Sequence, residues 1–220
     1  MSSTSKISRE TITKCLDQLL TYSHHDHKRN FLETVELQVV LKNYNTSREK
    51  RFSGSLRLPH VIRPRYKICL YGDEKHCDEA RLNQIACMSV EDLKSLNKNR
   101  KKIRQIDRKY HAFLASETII RQIPRLFGPS LGKVRKFPIL LTHNDNLVDK
   151  IRQIKSTLRI QLKKHPNINV PIGHVDMTIE ELLTTTTMSV NFIVGLVRKK
   201  WQNIDKIFIK STMGKCHRLY

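Results

Sequence analysis

The chain has 220 residues, of which 39% are hydrophobic, so it is long and apolar enough for one large domain or two small ones with buried cores. Its 41 Lys and Arg residues outnumber its 20 Asp and Glu residues and give a net charge of +21, which predicts a polyanionic partner such as nucleic acid. A membrane protein is not favoured, because no run approaches the roughly 20 apolar residues that span a bilayer and no basic helix has an aromatic face to insert.

The N-terminal segment predicts a helix followed by a polar connector. Apolar residues at Ile12, Leu16, Leu19 and Leu20 fall on one face of the helix, and the residues before it lack the apolar segment of a secretory signal. The connector is Ser23–Asn30, and its His24-His25-Asp26-His27 raises a metal site as an alternative. Ligands packed so closely need a dedicated loop to face one ion, so a solvated connector is expected.

The strongest strand pattern lies between Phe31 and Asn43, where apolar and mostly polar residues alternate as in a half-buried strand. The apolar positions are Val35, Leu37, Val39 and Leu41. A turn and a mostly basic segment lead to a second predicted strand over Phe52–Leu58. Pro59 and Pro64 then mark a linker.

Residues 65–155 alternate predicted strands and helices. The predicted strands are Tyr66–Gly72 and Ala112–Ala115. Four helices are predicted: one that begins at Asp73, one from the capping box Ser89–Asp92 to about Tyr110, one over Thr118–Leu126 and one over Asp145–Lys155. Such alternation is typical of a three-layer α/β unit with a largely parallel sheet.

After Lys155 the pattern returns to strands with a period of two residues. Leu158–Leu162 and Ile168–Ile172 predict two strands that pair with each other across a turn at His165-Pro166-Asn167.

The longest predicted helix begins at a capping box, Thr178–Glu181, and its apolar positions extend to Trp201. Arg198-Lys199-Lys200 is expected to complement the dipole at the C-terminus of this helix. A last strand over Ile207–Ile209 leads into the polar C-terminal segment.

These patterns predict a fold of class α+β/α/β with two domains. The first is a discontinuous, split α+β domain made of residues 1–64 and 156–220. The second is an inserted three-layer α/β domain of residues 65–155. Two chain connections at one place make a natural hinge.

The sequence offers no catalytic constellation. Gly128–Lys133 resembles a phosphate-binding P-loop, but three residues rather than four separate its glycines and Val134 replaces the magnesium-binding hydroxyl. Glu33 and Glu36 fall on opposite faces of a strand. The five cysteines contain no Cys-x-x-Cys pair, which favours reduced thiols in a cytosolic or nuclear setting. We therefore predict no enzyme, cofactor or metal; a nucleotide-binding enzyme built on residues 65–155 is the competing hypothesis.

Basic segments favour contact with phosphates over a merely solvated surface. Lys98–Lys109 holds seven Lys and Arg residues against one Asp, and Lys150–Lys164 holds six with no acid. A basic loop at the end of the α/β unit adds four cations with no acid, Arg125, Lys133, Arg135 and Lys136. Contact with RNA phosphates and a solvated loop are both open for it.

Nine short segments, in order along the chain, resemble the ribosomal protein L1 family in its eukaryotic form. They are Phe31–Leu37, Lys50–Gly54, Leu114–Glu117, Ile123–Pro129, Lys136–Pro138, Leu141–Asn144, Trp201–Asn203, Lys210–Lys215 and Arg218–Tyr220. The resemblance covers essentially the whole chain and implies the same split two-domain fold. Ser130 and Gly132 depart from the family pattern in a loop of the inserted domain, and His24-His25-Asp26-His27 replaces a more basic run.

The resemblance implies that the split domain binds a folded segment of large-subunit rRNA. The residues it assigns to this surface are Arg29, Phe31, Thr34, Glu36, Arg51, Ser53, Gly54, Lys210, Ser211, Thr212, Met213, Gly214 and Lys215. Hydroxyls and backbone N–H groups suit 2′-OH groups and phosphate oxygens, and a glycine admits close approach of the RNA backbone. Glu36 can accept a hydrogen bond from a 2′-OH or a guanine edge, which gives selectivity.

The resemblance also implies a structural role in the mobile side stalk of the large subunit, near the tRNA exit site, and support for the release of deacylated tRNA. The expected partners are large-subunit rRNA, exit-site tRNA in a transient contact and other large-subunit proteins. The expected location is the cytoplasmic ribosome, with assembly in the nucleolus. An RNA-binding regulator acting off the ribosome is an alternative, because the same surface would serve both roles.

Overall fold

The structure is a computed structural model that describes residues 6–46, 49, 51–128 and 136–220. It divides into two compact units, one made of Met1–Arg63 with Ser156–Tyr220 and the other of Pro64–Lys155. We call them the split unit and the middle unit. Antiparallel and parallel sheets both occur, so the mixed α/β class predicted from the sequence is confirmed.

The helices and strands are numbered in chain order. They are α1 (Arg9–Thr21), a π-helical turn (Tyr22–Asp26), β1 (Thr34–Leu41), β2 (Ser53–Arg57), β3 (Ile68–Tyr71), α2 (Glu74–Leu82), β4 (Ala86–Met88), α3 (Val90–Ser95), α4 (Arg100–Lys109), β5 (Ala112–Ser116), α5 (Glu117–Ile120), α6 (Ile123–Phe127), β6 (Ile139–Leu141), α7 (Leu147–Ser156), β7 (Thr157–Gln161), β8 (Asn167–His174), α8 (Ile179–Leu196), a 3-10 turn (Lys200–Asn203), β9 (Ile204–Ser211) and β10 (His217–Arg218).

The main sheet of the split unit is antiparallel, with strand order β10-β9-β1-β8. Strand β1 lies in its interior, and every second residue of β1 is buried, as the alternating sequence predicts. These buried side chains share a core with Leu16 of α1 and Ile193 of α8. Because β1 pairs with β9 along its length, Val35 lies opposite Ser211 and the two ends of the chain are joined in one sheet.

The predicted pairing of Leu158–Leu162 with Ile168–Ile172 is wrong, although both strands exist. Strand β7 pairs with β2 in a separate two-stranded sheet, and β8 pairs with β1 instead. An alternating pattern specifies which face of a strand is buried, but it does not specify which strand lies alongside.

Helix α8 begins at the predicted capping box and ends earlier than predicted. The backbone N–H of Thr178 donates to Glu181 Oε2 at 3.1 Å, and the N–H of Glu181 donates to Thr178 Oγ1 at 3.4 Å. The backbone becomes extended at Val197, where ψ is 131°. Arg198-Lys199-Lys200 therefore follows the helix and does not occupy its last turn, and Trp201 belongs to the 3-10 turn.

The middle unit is a three-layer arrangement around a parallel sheet with strand order β4-β3-β5-β6. One face of the sheet packs Tyr71 and Phe113 against α3, α4, α5 and α6, and the other packs Leu114 against α2 and α7. The parallel α/β pattern was predicted. Strands β4 and β6 were not, because three residues are too few to show a period.

The predicted single helix from Ser89 to Tyr110 is two helices. The capping box at Ser89 opens α3 as predicted. Asn97 and Lys98 then adopt φ values of 45° and 56°, which a right-handed helix cannot contain. Asn99 restarts the helix as the N-cap of α4, its Oδ1 accepting from the N–H of Lys101 at 3.0 Å.

The basic loop after α6 is described only in part. Residues 129–135, which include most of the P-loop-like segment together with Ser130 and Gly132, lie outside the described residues. Lys136 is described, and its Nζ donates to the carbonyl oxygens of Asp107 and Tyr110 at 2.8 and 3.1 Å. This lysine therefore caps the C-terminal end of α4. Within the described residues, no helix combines the length and apolarity that crossing a membrane requires.

Candidate nucleic-acid interface

One threonine side chain joins the start of β1 to the end of β9. Thr212 Oγ1 accepts a hydrogen bond from the backbone N–H of Thr34 at 3.0 Å and donates to the carbonyl oxygen of Thr34 at 3.2 Å. Phe31 precedes this junction and Met213 follows it. We call Phe31, Thr34, Thr212, Met213 and Lys215 the strand-end surface.

Apolar side chains are unusually exposed at this surface. Phe31 and Met213 expose 47% and 58% of their area, and Thr212 and Lys215 are also exposed. The Lys215 ammonium lies 5.2 Å from the centre of the Tyr22 ring, a cation–π contact that holds the cation beside the junction. The arrangement places an aromatic ring, a thioether and a cation together on solvent, which suits contact with unstacked bases and phosphates.

A buried polar network supports the strand-end surface from below. Ser23 Oγ donates to Glu33 Oε2 at 3.1 Å and lies 3.3 Å from Ser211 Oγ. Glu33 also has Arg29 Nε 4.0 Å from its other carboxylate oxygen, and its carbonyl oxygen accepts from the N–H of Val175 at 3.1 Å. The network ties the π-helical turn, the segment before β1 and the end of β9 to one another.

This network corrects one prediction and limits another to backbone contact. Ser23 was expected in a solvated connector but is buried, whereas His24-His25-Asp26-His27 is exposed. Ser211 was predicted to contact RNA, yet its side chain is fully buried, because it faces the core side of β9. Its hydroxyl serves the network beneath the surface.

Gly214 is required by close packing. Its N–H donates to the carbonyl oxygen of Ser211 at 3.3 Å, and a Cβ at this position would collide with Ser211 Oγ. A glycine here lets the chain fold back over the buried serine and direct Met213 and Lys215 outward.

Two further residues that were predicted to bind RNA, Glu36 and Lys210, are cross-strand neighbours. Glu36 of β1 lies opposite Lys210 of β9, and both are half-buried on the same face as Thr34. The exposed face of the sheet therefore continues from the strand-end surface with one carboxylate beside one ammonium.

The remaining predicted residues lie on the other sheet of the split unit. Arg51 precedes β2 and Ser53 begins it, and both are exposed. Gly54 was expected to admit the RNA backbone, but it faces α8: an added Cβ would lie 3.0 Å from Phe192 and 3.1 Å from Leu196. Its lack of a side chain is explained by helix packing, and its contact with RNA stays a prediction.

Some residues of this region were not predicted. Tyr22, Ser23 and Glu33 build the support, and His174 of β8 lies opposite Thr34 on the other side of β1. An acidic residue four positions after Arg29 was the available signal for Glu33. Among the residues that the structure describes, no group of three His, Cys, Asp or Glu side chains could hold a metal ion.

The sequence profile of the ribosomal protein L1p/L10e family matches residues 19–215. The chain belongs to this family. The resemblance inferred from short segments is thus confirmed, and the matched region contains both the strand-end surface and the whole middle unit.

Full-length relatives within the L1p/L10e family are close in sequence. The chain is 49% identical to the large ribosomal subunit protein uL1 of Spodoptera frugiperda over 216 residues, which are 98% of this chain and 99% of the relative. It is 48% identical to uL1 of Drosophila melanogaster over 98% of this chain and 99% of that relative. It is 50% identical to uL1B of Schizosaccharomyces pombe over 98% of this chain and 100% of that relative.

Proposed function

We propose that this chain is a structural constituent of the large ribosomal subunit and that it binds large-subunit rRNA through its split unit. Membership in a family of ribosomal proteins, which is not a family of enzymes, supports the first part. The second part rests on one observation: the Thr34–Thr212 junction brings segments from both ends of the chain to one exposed surface.

The strand-end surface offers contacts to bases as well as to the RNA backbone. Phe31 provides an exposed ring on which an unpaired base stacks, and Met213 provides an exposed and adaptable apolar contact. Thr212 Oγ1 donates one hydrogen bond and accepts another within the protein, which leaves one acceptor position for a 2′-OH.

Charged groups around the surface supply affinity and selectivity. Arg29, Lys210 and Lys215 neutralise phosphates, whereas Glu36 accepts from a 2′-OH or a guanine edge and disfavours a phosphate in the same place. Glu36 lies opposite Lys210 in the strand register, so both charges belong to the exposed sheet face. The result is a surface that selects a folded RNA rather than any polyanion.

We propose further that the two units are the domains of a hinged protein. The chain passes between them twice, near residues 63–64 and 155–156, and two connections at one place suit a hinge. In this proposal the split unit holds rRNA at the mobile side stalk, and the middle unit moves with the stalk, meets exit-site tRNA transiently and supports its release. The protein acts in the cytoplasmic ribosome, contacts other large-subunit proteins and is assembled in the nucleolus.

The decisive experiment compares two pairs of exposed apolar side chains. The variant Phe31→Ala with Met213→Ala removes the proposed base contacts, and Leu82→Ala with Val148→Ala removes exposed apolar area from the middle unit. Base contacts are worth about 1–3 kcal/mol each, so the first variant binds an isolated side-stalk rRNA segment roughly a hundredfold more weakly. The control variant binds like the wild type, and both keep the wild-type melting temperature. Equal affinity in the two variants would refute the proposed surface.

Two further measurements complete the test. If about six phosphates are neutralised, affinity for the rRNA segment falls roughly a thousandfold between 50 and 200 mM salt. A flat salt response argues against phosphate contact.

Co-sedimentation with large subunits separates a ribosomal role from an RNA-binding role away from the ribosome. It is expected to be lost in the Phe31 and Met213 variant and kept in the control.

A further inference from the structure

Helix α4 of the middle unit carries a dense positive charge, and none of its cations forms an ion pair with an acid in the part of the chain that the structure describes. Six of its ten residues are Lys or Arg, and all six side chains are exposed. Its one acid, Asp107, has its carboxylate 2.9 Å from Lys136 Nζ. Ile103 of the helix is buried and Ile106 is half-buried against the same core, so the helix rests on the core by these two side chains and presents its cations to solvent.

The charges in the first turn of α4 oppose the stability of the helix itself. Arg100, Lys101 and Lys102 occupy the first turn, where the helix dipole is positive, and no acidic residue accompanies them. Helix α2 of the same unit has the favourable order, with Glu74 in its first turn and Arg81 in its last. Arg108 and Lys109 in the last turn of α4 suit the helix dipole, but the three cations of its first turn are not explained by helix stability.

Three arginines of α4 form a single row. Arg100, Arg104 and Arg108 are four residues apart, so they lie on one face at intervals of about 6 Å along the axis. Like charges at this spacing repel each other within a helix. An anionic partner laid along the row relieves both this repulsion and the conflict with the dipole.

We propose that α4 is a second RNA-binding surface, which grips the phosphate backbone of an RNA duplex without reading its sequence. Guanidinium groups bind phosphate oxygens through two parallel hydrogen bonds, which suits a row of arginines to a row of phosphates. A protein interface requires an apolar centre, and the exposed large apolar side chains in the described part of the chain lie outside α4. The choice of RNA over DNA rests on the proposed function; the surface itself is separate from the strand-end surface.

The test uses the full-length chain and a labelled RNA duplex of about 20 base pairs with an arbitrary sequence. One variant changes the row, and a control variant removes the same charge from exposed positions elsewhere in the middle unit. The row variant is Arg100→Gln, Arg104→Gln and Arg108→Gln, and the control is Arg65→Gln, Lys75→Gln and Lys94→Gln. Loss of three phosphate contacts lowers the slope of log affinity against log salt by about 2.7.

The expected result is at least tenfold weaker duplex binding by the row variant at 100 mM salt and at most a threefold change in the control. The row variant melts at the wild-type temperature or above, because repulsion within α4 is relieved. Equal affinities of the two variants overturn the proposal, and so does a lower melting temperature of the row variant, since the arginines would then be structural. A poly-glutamate peptide that competes as well as the duplex at equal charge would assign α4 to an acidic protein and overturn the RNA assignment.

The assays distinguish the two surfaces, because each variant is expected to lose binding to only one of the two RNAs. The row variant keeps its binding to the isolated side-stalk rRNA segment, whereas the variant of Phe31 and Met213 loses that binding and keeps its affinity for the arbitrary duplex. Loss of duplex binding by the Phe31 and Met213 variant alone would place duplex contact on the strand-end surface and overturn the role of α4.

Discussion

Thr34 and Thr212 are 178 residues apart in the sequence and share two hydrogen bonds through one hydroxyl group, at 3.0 and 3.2 Å. Both bonds use the backbone of Thr34, so the side chain of Thr212 occupies the place of the next backbone pair in the sheet. The position of exposed Met213, one residue further on, therefore depends on a hydroxyl that is itself exposed.

Replacing Thr212 by valine tests this dependence. The change keeps the shape of the side chain and removes both hydrogen bonds, which are worth about 0.5–1.5 kcal/mol each. We expect the free energy of unfolding in urea to fall by about 1–2 kcal/mol and the affinity for the rRNA segment to fall with it. Thr212→Ser keeps the hydroxyl and is expected to behave like the wild type. Identical results for valine and serine would mean that the junction does not hold the surface.

The contact between Gly214 and Ser211 is tested by a double-mutant cycle. Gly214→Ala places a methyl group against Ser211 Oγ, and such crowding costs about 1–3 kcal/mol. Ser211→Ala removes that oxygen, and the nearest remaining atom of residue 211 is its Cβ at 3.4 Å from the new methyl group, an ordinary contact. We expect the double variant to be more stable than the sum of the two single changes by about 0.5–3 kcal/mol. Simple additivity in urea unfolding would contradict the collision.

The buried carboxylate of Glu33 is expected to stabilise the fold rather than to touch RNA. Glu33→Ala removes the acceptor of the Ser23 hydroxyl and leaves a buried polar group short of a partner, at a cost of about 1–3 kcal/mol. Glu33→Gln keeps an acceptor oxygen and costs less. The exposed Glu10→Ala serves as control and should change stability by no more than about 0.5 kcal/mol. Chemical denaturation of the wild type and the three variants measures the free energies of unfolding and gives their order.

Local patterns in the sequence were sufficient for the elements that repeat a period or carry a cap. The alternation in β1 and the capping boxes at Ser89 and Thr178 predicted the observed structure. The pairing of β7 with β2 could not be predicted, because partner choice is decided by contacts between distant segments. The break in the helix at Asn97-Lys98 was not predicted either, since the apolar positions on either side remain in helical phase.

The candidate surface was assigned by the resemblance to the L1 family, and the structure separates those residues into buried and exposed ones. Hydroxyls and glycines suit RNA. The hydroxyl of Ser211, however, belongs to a buried network with Ser23, and Gly54 leaves space for the side chain of Phe192. Whether a small residue serves a ligand or a neighbouring helix depends on what packs against it. A sequence without its tertiary contacts does not contain that information.

A histidine pair in the middle unit links stability to pH. His76 is buried, its Nδ1 lies 3.2 Å from Ser116 Oγ, and its ring stacks on His143 with 4.5 Å between centroids. Burial lowers the pKa of His76, and the neighbouring His143 lowers it further, against the opposite effect of Asp73 and Glu79. The folded protein therefore keeps His76 neutral at a pH where the unfolded chain binds a proton.

The sign of the effect follows from this difference in proton binding. Stability from neutral His76 is complete above about pH 6.5, the pKa of an unfolded histidine, and is lost as the pH falls through the lower folded pKa. We expect the free energy of unfolding to drop between pH 7 and pH 5 by at most about 1.4 kcal/mol per pH unit for this group. In His76→Gln this drop becomes smaller, because the glutamine does not titrate, whereas His165→Gln, at an exposed position, leaves it unchanged. If urea unfolding across this range gives the same pH profile for wild type and His76→Gln, the buried histidine does not control acid stability, because the proton taken up on unfolding must then belong to another group.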